Sequence, residues 1–306
     1  MLCQCNASCR QHDLPHKFET VHLIKFKTEF AIPGICPALT CNLCTQDGFF
    51  LSHLHRTADG YFIASLPMNM VVDAGNTFTK VGLFEKDSLQ RKEVFDADEE
   101  LQNFLIRTPV ENLIISSVTI GVKKIASWSI ATGHKIILGP DLPLPIQNRY
   151  STPATLGVDR LAAACGGQLT FPHQDCLIVD IGTCINYEFV NKAGEYLGGA
   201  ISPGLKMRFE AMHHYTAKLP LAPVAAVPAL TGNSTISCLQ SGVMNGTREE
   251  INGILQRYRI QYPGIRVILC GGDAHFFENH LNPAIFVAPD LVLIGLNSIL
   301  LHNVTL

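Results

Sequence analysis

Charge is scarce in this 306-residue chain. Asp, Glu, Lys and Arg together make up 16% of it, against roughly 25% in an average globular protein. Hydrophobic residues reach 47%, so a disordered, self-repelling chain is excluded and a large core is expected. There is no basic excess either: the formal net charge is -3. No global field draws the chain to nucleic acid or to anionic lipid, and neither partner is expected. Long apolar runs are also missing. No stretch of about 18 uncharged apolar residues occurs; the nearest approach is residues 291–301, so no membrane helix is expected. The N-terminus lacks the apolar centre of a secretory signal. The resulting expectation is a cytoplasmic protein with reduced thiols. Neither GxxxxGK(S/T) nor GxGxxG is present, so P-loop and Rossmann sites lack their fingerprints.

Cysteine is plentiful but uneven. Six of eleven (Cys3, Cys5, Cys9, Cys36, Cys41, Cys44) and five of twelve histidines precede residue 68. Cys41-Asn-Leu-Cys44 is half of a zinc site, but no second CxxC follows. His53 and His55 are two apart rather than at HxxxH spacing. That mismatch argues against zinc. The stretch carries no sustained period of 2 or 3.6. Residues 1–67 are therefore expected to be an extension outside the fold, with a leader upstream of a start at Met68 or Met70 as one reading.

From Met68 the pattern changes. Met70-Val71-Val72-Asp73 is an apolar run ending in a carboxylate, followed by Gly75-Asn76-Thr77 and a second run at hairpin distance, Val81-Gly82-Leu83-Phe84. Residues 113–118 and 135–138 read as further strands, and residues 159–168 as an alanine-rich helix suited to burial. The theme then returns. Cys176-Leu177-Ile178-Val179-Asp180 leads to Gly182-Thr183, and residues 185–190 alternate as a paired strand. Residues 196–201 read as a third strand. Ser202 and Pro203 are expected to cap and open a helix. Residues 266–270 form a strand running into Gly271-Gly272-Asp273, and residues 289–301 a closing helix. Two Asp-Gly turns 107 positions apart, each heading an α/β unit, imply a duplicated chain with a cleft between its halves.

These turns suit a phosphate. Glycine lets backbone N–H groups approach an anion. Asn76, Thr77 and Thr79 add donors, Lys80 adds charge, and Asp73 is placed to hold Mg²⁺ directly or through water. Between the copies lies Tyr150-Ser-Thr-Pro-Ala-Thr-Leu-Gly157-Val-Asp159-Arg160. Arg160 is able to clamp a carboxylate, and Asp159 to accept a proton from an attacking hydroxyl. The plainer alternative is that Asp159 caps the helix and Arg160 pairs at the surface. Cys184 lies beside the expected phosphates and reads as a small buried filler, since phosphoryl transfer needs no thiol. His213 and His214, adjacent on a helix, read as surface residues.

The motifs DAGNTFTK (73–80), LGVDR (156–160), DIGTCINYEF (180–189), GGAISPGL (198–205), GNST (232–235) and GGDA (271–274) together resemble the type III pantothenate kinase family. That family belongs with acetate and sugar kinases, heat-shock ATPases and actin. The resemblance runs from residue 70 to about 298. It implies two ribonuclease H-like (actin-like ATPase) α/β domains, residues 68–172 and 173–306, with the active site in the cleft between them. The implied reaction is ATP-dependent phosphorylation of pantothenate, with Mg²⁺ and a monovalent cation, in a homodimer. By motif, Asp73, Ala74, Gly75, Asn76, Thr77, Phe78, Thr79 and Lys80 form the first phosphate loop, with Asp73 near Mg²⁺, and Thr183 contacts ATP. Asp180 sits where the family holds K⁺ or NH₄⁺. Tyr150, Gly157, Val158, Asp159, Arg160 and Thr235 fall at pantothenate positions, with Asp159 as general base.

The second phosphate motif departs from the family's DxGTAxTxD: Cys184, Asn186 and Glu188 replace Ala, Thr and the second Asp. The competing functions are a kinase for another hydroxy acid or sugar, and a non-catalytic accessory protein. The GxDR and GNST pair argues against the first and Asp159 against the second.

Overall fold

The structure, a computed structural model, describes residues 54–56, 62–64, 68–117, 121–225, 227–281 and 284–306. The chain divides into two units, Met1–Ser65 and Leu66–Leu306. In the first, β1 (Leu54–Arg56) and β2 (Phe62–Ala64) form an antiparallel pair. The Cys41-Cys44 motif lies outside the described residues.

The second unit holds two sheets of matching design. In the first, β3 (Asn69–Ala74) pairs antiparallel with β4 (Thr79–Glu85), which pairs with β5 (Ser88–Phe95). On its other side β3 runs parallel to β6 (Asn112–Ser117), and β6 to β7 (Lys135–Ile137). Helices α1 (Asp98–Arg107) and α2 (Val122–Trp128) make the crossovers. In the second sheet β9 (Cys176–Ile181), β10 (Cys184–Val190) and β11 (Glu195–Pro203) repeat the meander. There β12 (Arg266–Cys270) and β13 (Ile285–Val287) take the parallel positions, and β8 (Gln147–Asn148) adds an outer edge. The orders β5-β4-β3-β6-β7 and β11-β10-β9-β12-β13 therefore correspond strand for strand. β3 and β9 share one burial pattern, buried until the aspartate, as expected for strands flanked on both sides and covered on both faces.

Two helices fill the space between the sheets. α3 (Val158–Thr170) and α6 (Leu291–Val304) share one core with Val71 and Ile114 of the first sheet and Ile178 and Ile268 of the second. Small residues permit this closeness. A Cβ at Gly295 would collide with the Ala162 carbonyl, and one at Gly166 with the Leu291 carbonyl, so the helix backbones nearly touch. The outer face of the first sheet is covered around Leu101, Leu105 and Ile125 of α1 and α2. The outer face of the second is covered by α4 (Leu205–His214) and α5 (Thr235–Gln261), through Phe209, Ile251 and Leu255.

One sequence expectation is corrected here. Ser202 and Pro203 do not open a helix. β11 continues through both, with Ser202 opposite Ile185, and Gly204 is the residue before α4. The Ser202 hydroxyl donates to Glu250 on α5 at 2.6 Å, so it is not free to cap, and ladder pairing outweighs the local signal. The closing helix likewise starts at Leu291 rather than 289.

Candidate active site

Each central strand delivers its aspartate as the fifth of six residues, half-buried at the strand end. A tight turn follows in each case. Gly75 N–H donates to the Phe78 carbonyl at 3.1 Å, and Gly182 N–H to the Cys184 carbonyl at 2.9 Å. The turns face each other: Thr77 Oγ1 and Thr183 Oγ1 stand 3.3 Å apart. Residues 106 positions apart are thus joined at one point, where hydroxyls and turn N–H groups converge as an anion cradle requires. Ala74 and Thr79 are buried, while Asn76, Thr77 and Phe78 are exposed along the turn. The same turn lines a cleft whose far wall is Phe95, Asp96, Ala97 and Asp98. No sequence signal pointed to that wall.

The carboxylates share a field. Burial pushes the Asp73 carboxyl up to about 7; Lys80, its cross-strand partner, opposes this, while Asp159 and Asp180 push it further. The Ser116 hydroxyl, fully buried on the neighbouring strand, lies beside Asp73 without a well-aligned bond and opposes the rise only weakly. Burial also pushes Asp180 up to about 6, with Lys80 opposing and Asp159 adding. Three carboxylates thus face one ammonium, a donor set in need of added positive charge. Among the described residues no group of three or more His, Cys, Asp or Glu forms a complete metal cage.

Behind Asp180 the Gly271 turn closes the strand end. Gly271 has φ +93°, and a Cβ there would collide with the Asp180 carboxylate and the Ile181 carbonyl. Asp273 N–H donates to that same carbonyl at 3.0 Å.

The head of α3 supplies the third part. Gly157 precedes the helix, and Asp159 Oδ1 accepts the Arg160 backbone N–H at 2.9 Å. Asp159 therefore satisfies a first-turn donor, yet its charge is felt at Asp73, Asp180 and Glu188 alike. Arg160 departs from the surface-pair expectation. It is 8% exposed, and its Nε and Nη2 donate to Glu188 Oε1 and Oε2 at 2.5 and 2.9 Å. Its guanidinium lies over the Tyr150 ring at 5.7 Å. Tyr150 in turn stacks on Tyr196 at 6.1 Å and lies against Gly198, where a Cβ would stand 3.1 Å from the ring.

The structure therefore gathers Asp73, Lys80, Thr77, Asp159, Asp180 and Thr183 into one field, with Arg160 bound to Glu188 and lying over the Tyr150 ring. Thr235 stands exposed in the first turn of α5, beside the Ser234 cap, and the bonds that tie the cluster together do not reach it. Cys184 is half-buried rather than buried. His213 and His214 are exposed. Glu188 and Tyr196 are the members that sequence reasoning passed over. Glu188 stood out only as a departure from a motif, and Tyr196 as one residue of a strand.

Comparison with known proteins bears on what this arrangement is for. The family model described as type III pantothenate kinase matches residues 69–257. The type III pantothenate kinase of Cytophaga hutchinsonii is 42% identical over 238 residues, covering 78% of this chain and all of that one. That of Christiangramia forsetii is 39% identical over 243 residues, covering 78% of this chain and all of that one. The one from Bacteroides fragilis is 38% identical over 240 residues, covering 77% and 98%. Among solved structures, one described as a Baf family transcriptional activator from Campylobacter jejuni superposes with a TM-score of 0.53 at 21% identity, covering 78% of this chain and all of that one; it speaks for the fold. The duplicated sheets form two α/β halves of one strand order, the architecture expected of a ribonuclease H-like, actin-like fold. With the model match and full-length relatives resting on the same strands and turns, the chain belongs to the type III pantothenate kinase family.

Proposed function

We infer that this chain transfers a phosphoryl group from ATP to the primary hydroxyl of pantothenate, giving 4'-phosphopantothenate, the first step toward coenzyme A. The observation that carries the reading is the meeting of the two aspartate-headed turns through Thr77 and Thr183, with Asp159 electrostatically coupled to both aspartates.

In this reading Asp73 to Lys80 and Thr183 cradle the phosphates of ATP. Asp159 takes the proton as the pantothenate hydroxyl attacks phosphorus and the bond to the leaving ADP oxygen breaks. Tyr150, Gly157, Val158, Arg160 and Thr235 hold pantothenate. Most of the rate comes from positioning and charge neutralisation, because phosphoryl transfer asks little covalent chemistry of the protein. Asp73 is the residue that would hold Mg²⁺, which when bound supplies neutralising charge to the phosphates. The donor set fits: a half-buried carboxylate held high by burial and by two like charges is relieved by a cation. Asp180 takes the monovalent cation, K⁺ or NH₄⁺.

A homodimer fits the exposed apolar side chains Leu197 and Ile201 on β11 and Leu230 before α5, the last 81% exposed. It also fits Thr235, which its own chain leaves outside the cluster. The same reading takes the setting to be cytosolic. Independently of it, no helix among the described residues is long and apolar enough to cross a membrane.

The test is ADP release by the purified chain with ATP, Mg²⁺ and K⁺, with and without pantothenate. Release that depends on pantothenate supports the reading. Release indifferent to it contradicts the reading.

A further inference from the structure

Glu188 has no task in the reaction as set out above, yet it occupies a costly position. It lies within β10, fully buried, where a carboxylate persists only if paired and hydrogen-bonded. Burial pushes its carboxyl up, and the bonds from Arg160 and Tyr196 pull against that. Three donors from two other elements converge on it. Arg160 of α3 gives two parallel N–H bonds, one to each oxygen. The Tyr196 hydroxyl of β11 gives a third, to Oε2 at 2.5 Å.

Side-by-side bonding of a guanidinium to a carboxylate fixes both the position and the plane of the guanidinium. Here the plane is fixed a second time, because the Tyr150 ring lies against it. Tyr150 itself cannot shift toward β11, since it already rests on the backbone at Gly198. Two of the five N–H groups of Arg160 are spent on Glu188 and the Tyr150 hydroxyl also lies within reach of the fork, so the remaining N–H groups are held in one orientation. The Arg160 backbone N–H is meanwhile bonded to the Asp159 carboxylate. The orientation of the fork and the place of the proposed base are thereby set together, within one helical turn.

We propose that Glu188 is a positioning residue for the acceptor-substrate pocket, holding the Arg160 fork, with Tyr196 as its second anchor, ready for the substrate carboxylate. This rests on the reading of Arg160 as a pantothenate contact. The glutamate side chain reaches both Nε and Nη2 from a strand whose position is set by the ladder on both sides. A role confined to stability would lower the melting temperature or the yield of folded protein. It would leave the KM values of the folded fraction alone. A positioning role raises KM for pantothenate and spares KM for ATP.

The experiment is steady-state kinetics on Glu188→Gln, Glu188→Asp, Tyr196→Phe and Arg160→Lys, plus the Glu188→Gln/Arg160→Lys double variant, with wild type alongside. Glutamine keeps the volume but sets an NH₂ group against the fork. It is expected to raise KM for pantothenate about 10-fold or more, while KM for ATP stays within about 2-fold. Aspartate restores the charge and should recover part of the loss, and Tyr196→Phe should show the smallest rise. Because Glu188 acts through Arg160, adding Glu188→Gln to Arg160→Lys should change KM by less than about 2-fold. If Glu188→Gln does not fold, Glu188→Asp and Tyr196→Phe carry the same readout, and a selective rise in both supports the proposal. An active wild type with unchanged pantothenate KM in the folded variants overturns this proposal alone. Independent, multiplying effects of the Glu188 and Arg160 changes overturn it too. A wild type with no pantothenate-dependent turnover overturns the functional reading, and this proposal with it.

Discussion

The two hairpins that head the sheets repeat one plan and differ in their partners. In both, a buried strand ends in a half-buried aspartate, a glycine turn follows, and a parallel strand runs alongside. Across the hairpin, Asp73 faces Lys80, whereas Asp180 faces Asn186. On the parallel side, Asp73 is level with Ser116, whereas Asp180 is level with Cys270 and backed by Gly271. Within its own sheet the first aspartate thus has an ammonium and a hydroxyl beside it, although the Lys80 charge is felt at Asp180 as well. The second has an amide, a thiol and a bare glycine. A duplicated frame fixes where two carboxylates stand, and their neighbours decide what each one holds. Two such carboxylates facing one polyphosphate repel it unless cations intervene.

The largest effect should come from a residue outside both hairpins. Asp159→Asn keeps the shape and loses the proton acceptor, and kcat should fall by ~10²–10⁴. ATP affinity, measured by calorimetry, should be nearly unchanged. A near wild-type kcat would leave Asp159 with only its first-turn bond to Arg160.

The comparison is broken most directly at Gly271. Its φ of +93° and the lack of room beside Asp180 leave no place for a methyl group. Gly271→Ala should cost about 1–3 kcal/mol in denaturant unfolding and remove the response to K⁺. The corresponding residue beside the first hairpin, Ser117 at the end of β6, already carries a side chain. Ser117→Ala should leave monovalent activation intact.

Exchanging charge for shape separates the two roles. Asp180→Asn should blunt activation by K⁺ or NH₄⁺ over Na⁺ more than it alters the Mg²⁺ requirement. Asp73→Asn should do the reverse. Initial rates at constant ionic strength decide the matter, and equal rates in Na⁺ and K⁺ for wild type would mean that Asp180 only closes its turn.

Acidity gives a smaller readout. Asp73 rises from an ordinary 3.8 to about 7, and Asp180 from 3.8 to about 6. The folded state then binds more protons than the unfolded one between those values, so these groups make stability fall as pH rises through that window. The melting temperature without divalent metal should drop between pH values of about 4 and 7. Added Mg²⁺ should restore more of it at the upper end than at the lower. A flat profile would mean that the two carboxyls are not held high.

The smallest effect concerns the extension. A chain beginning at Met68 should keep kcat and both KM values within about 2-fold, as expected for a segment outside the working fold. Loss of folding in that chain, or stoichiometric zinc on the full chain, would give residues 1–67 a role.

Much of this was legible because the signals were local. Each aspartate ends an apolar run and precedes a glycine, so strand, turn and carboxylate appear within eight residues of sequence. The helix after Gly157 was legible from its small residues. What escaped depends on distance. Arg160 and Glu188 are 28 positions apart, and nothing local marks them as partners. Ser202-Pro203 carried a helix-start signal that strand pairing overrode. α5, 27 residues long, hid because glycines at 242, 246 and 253 interrupt its apolar pattern and packing on the second sheet holds it.

The most direct test of the whole account is identification of the product. Purified chain, ATP, Mg²⁺, K⁺ and pantothenate should yield pantothenate carrying one phosphoryl group on its primary hydroxyl, seen by mass spectrometry and ³¹P NMR, and Asp159→Asn should yield almost none. Phosphate released from ATP with pantothenate left unmodified, or an equal yield from the Asp159→Asn variant, would contradict it.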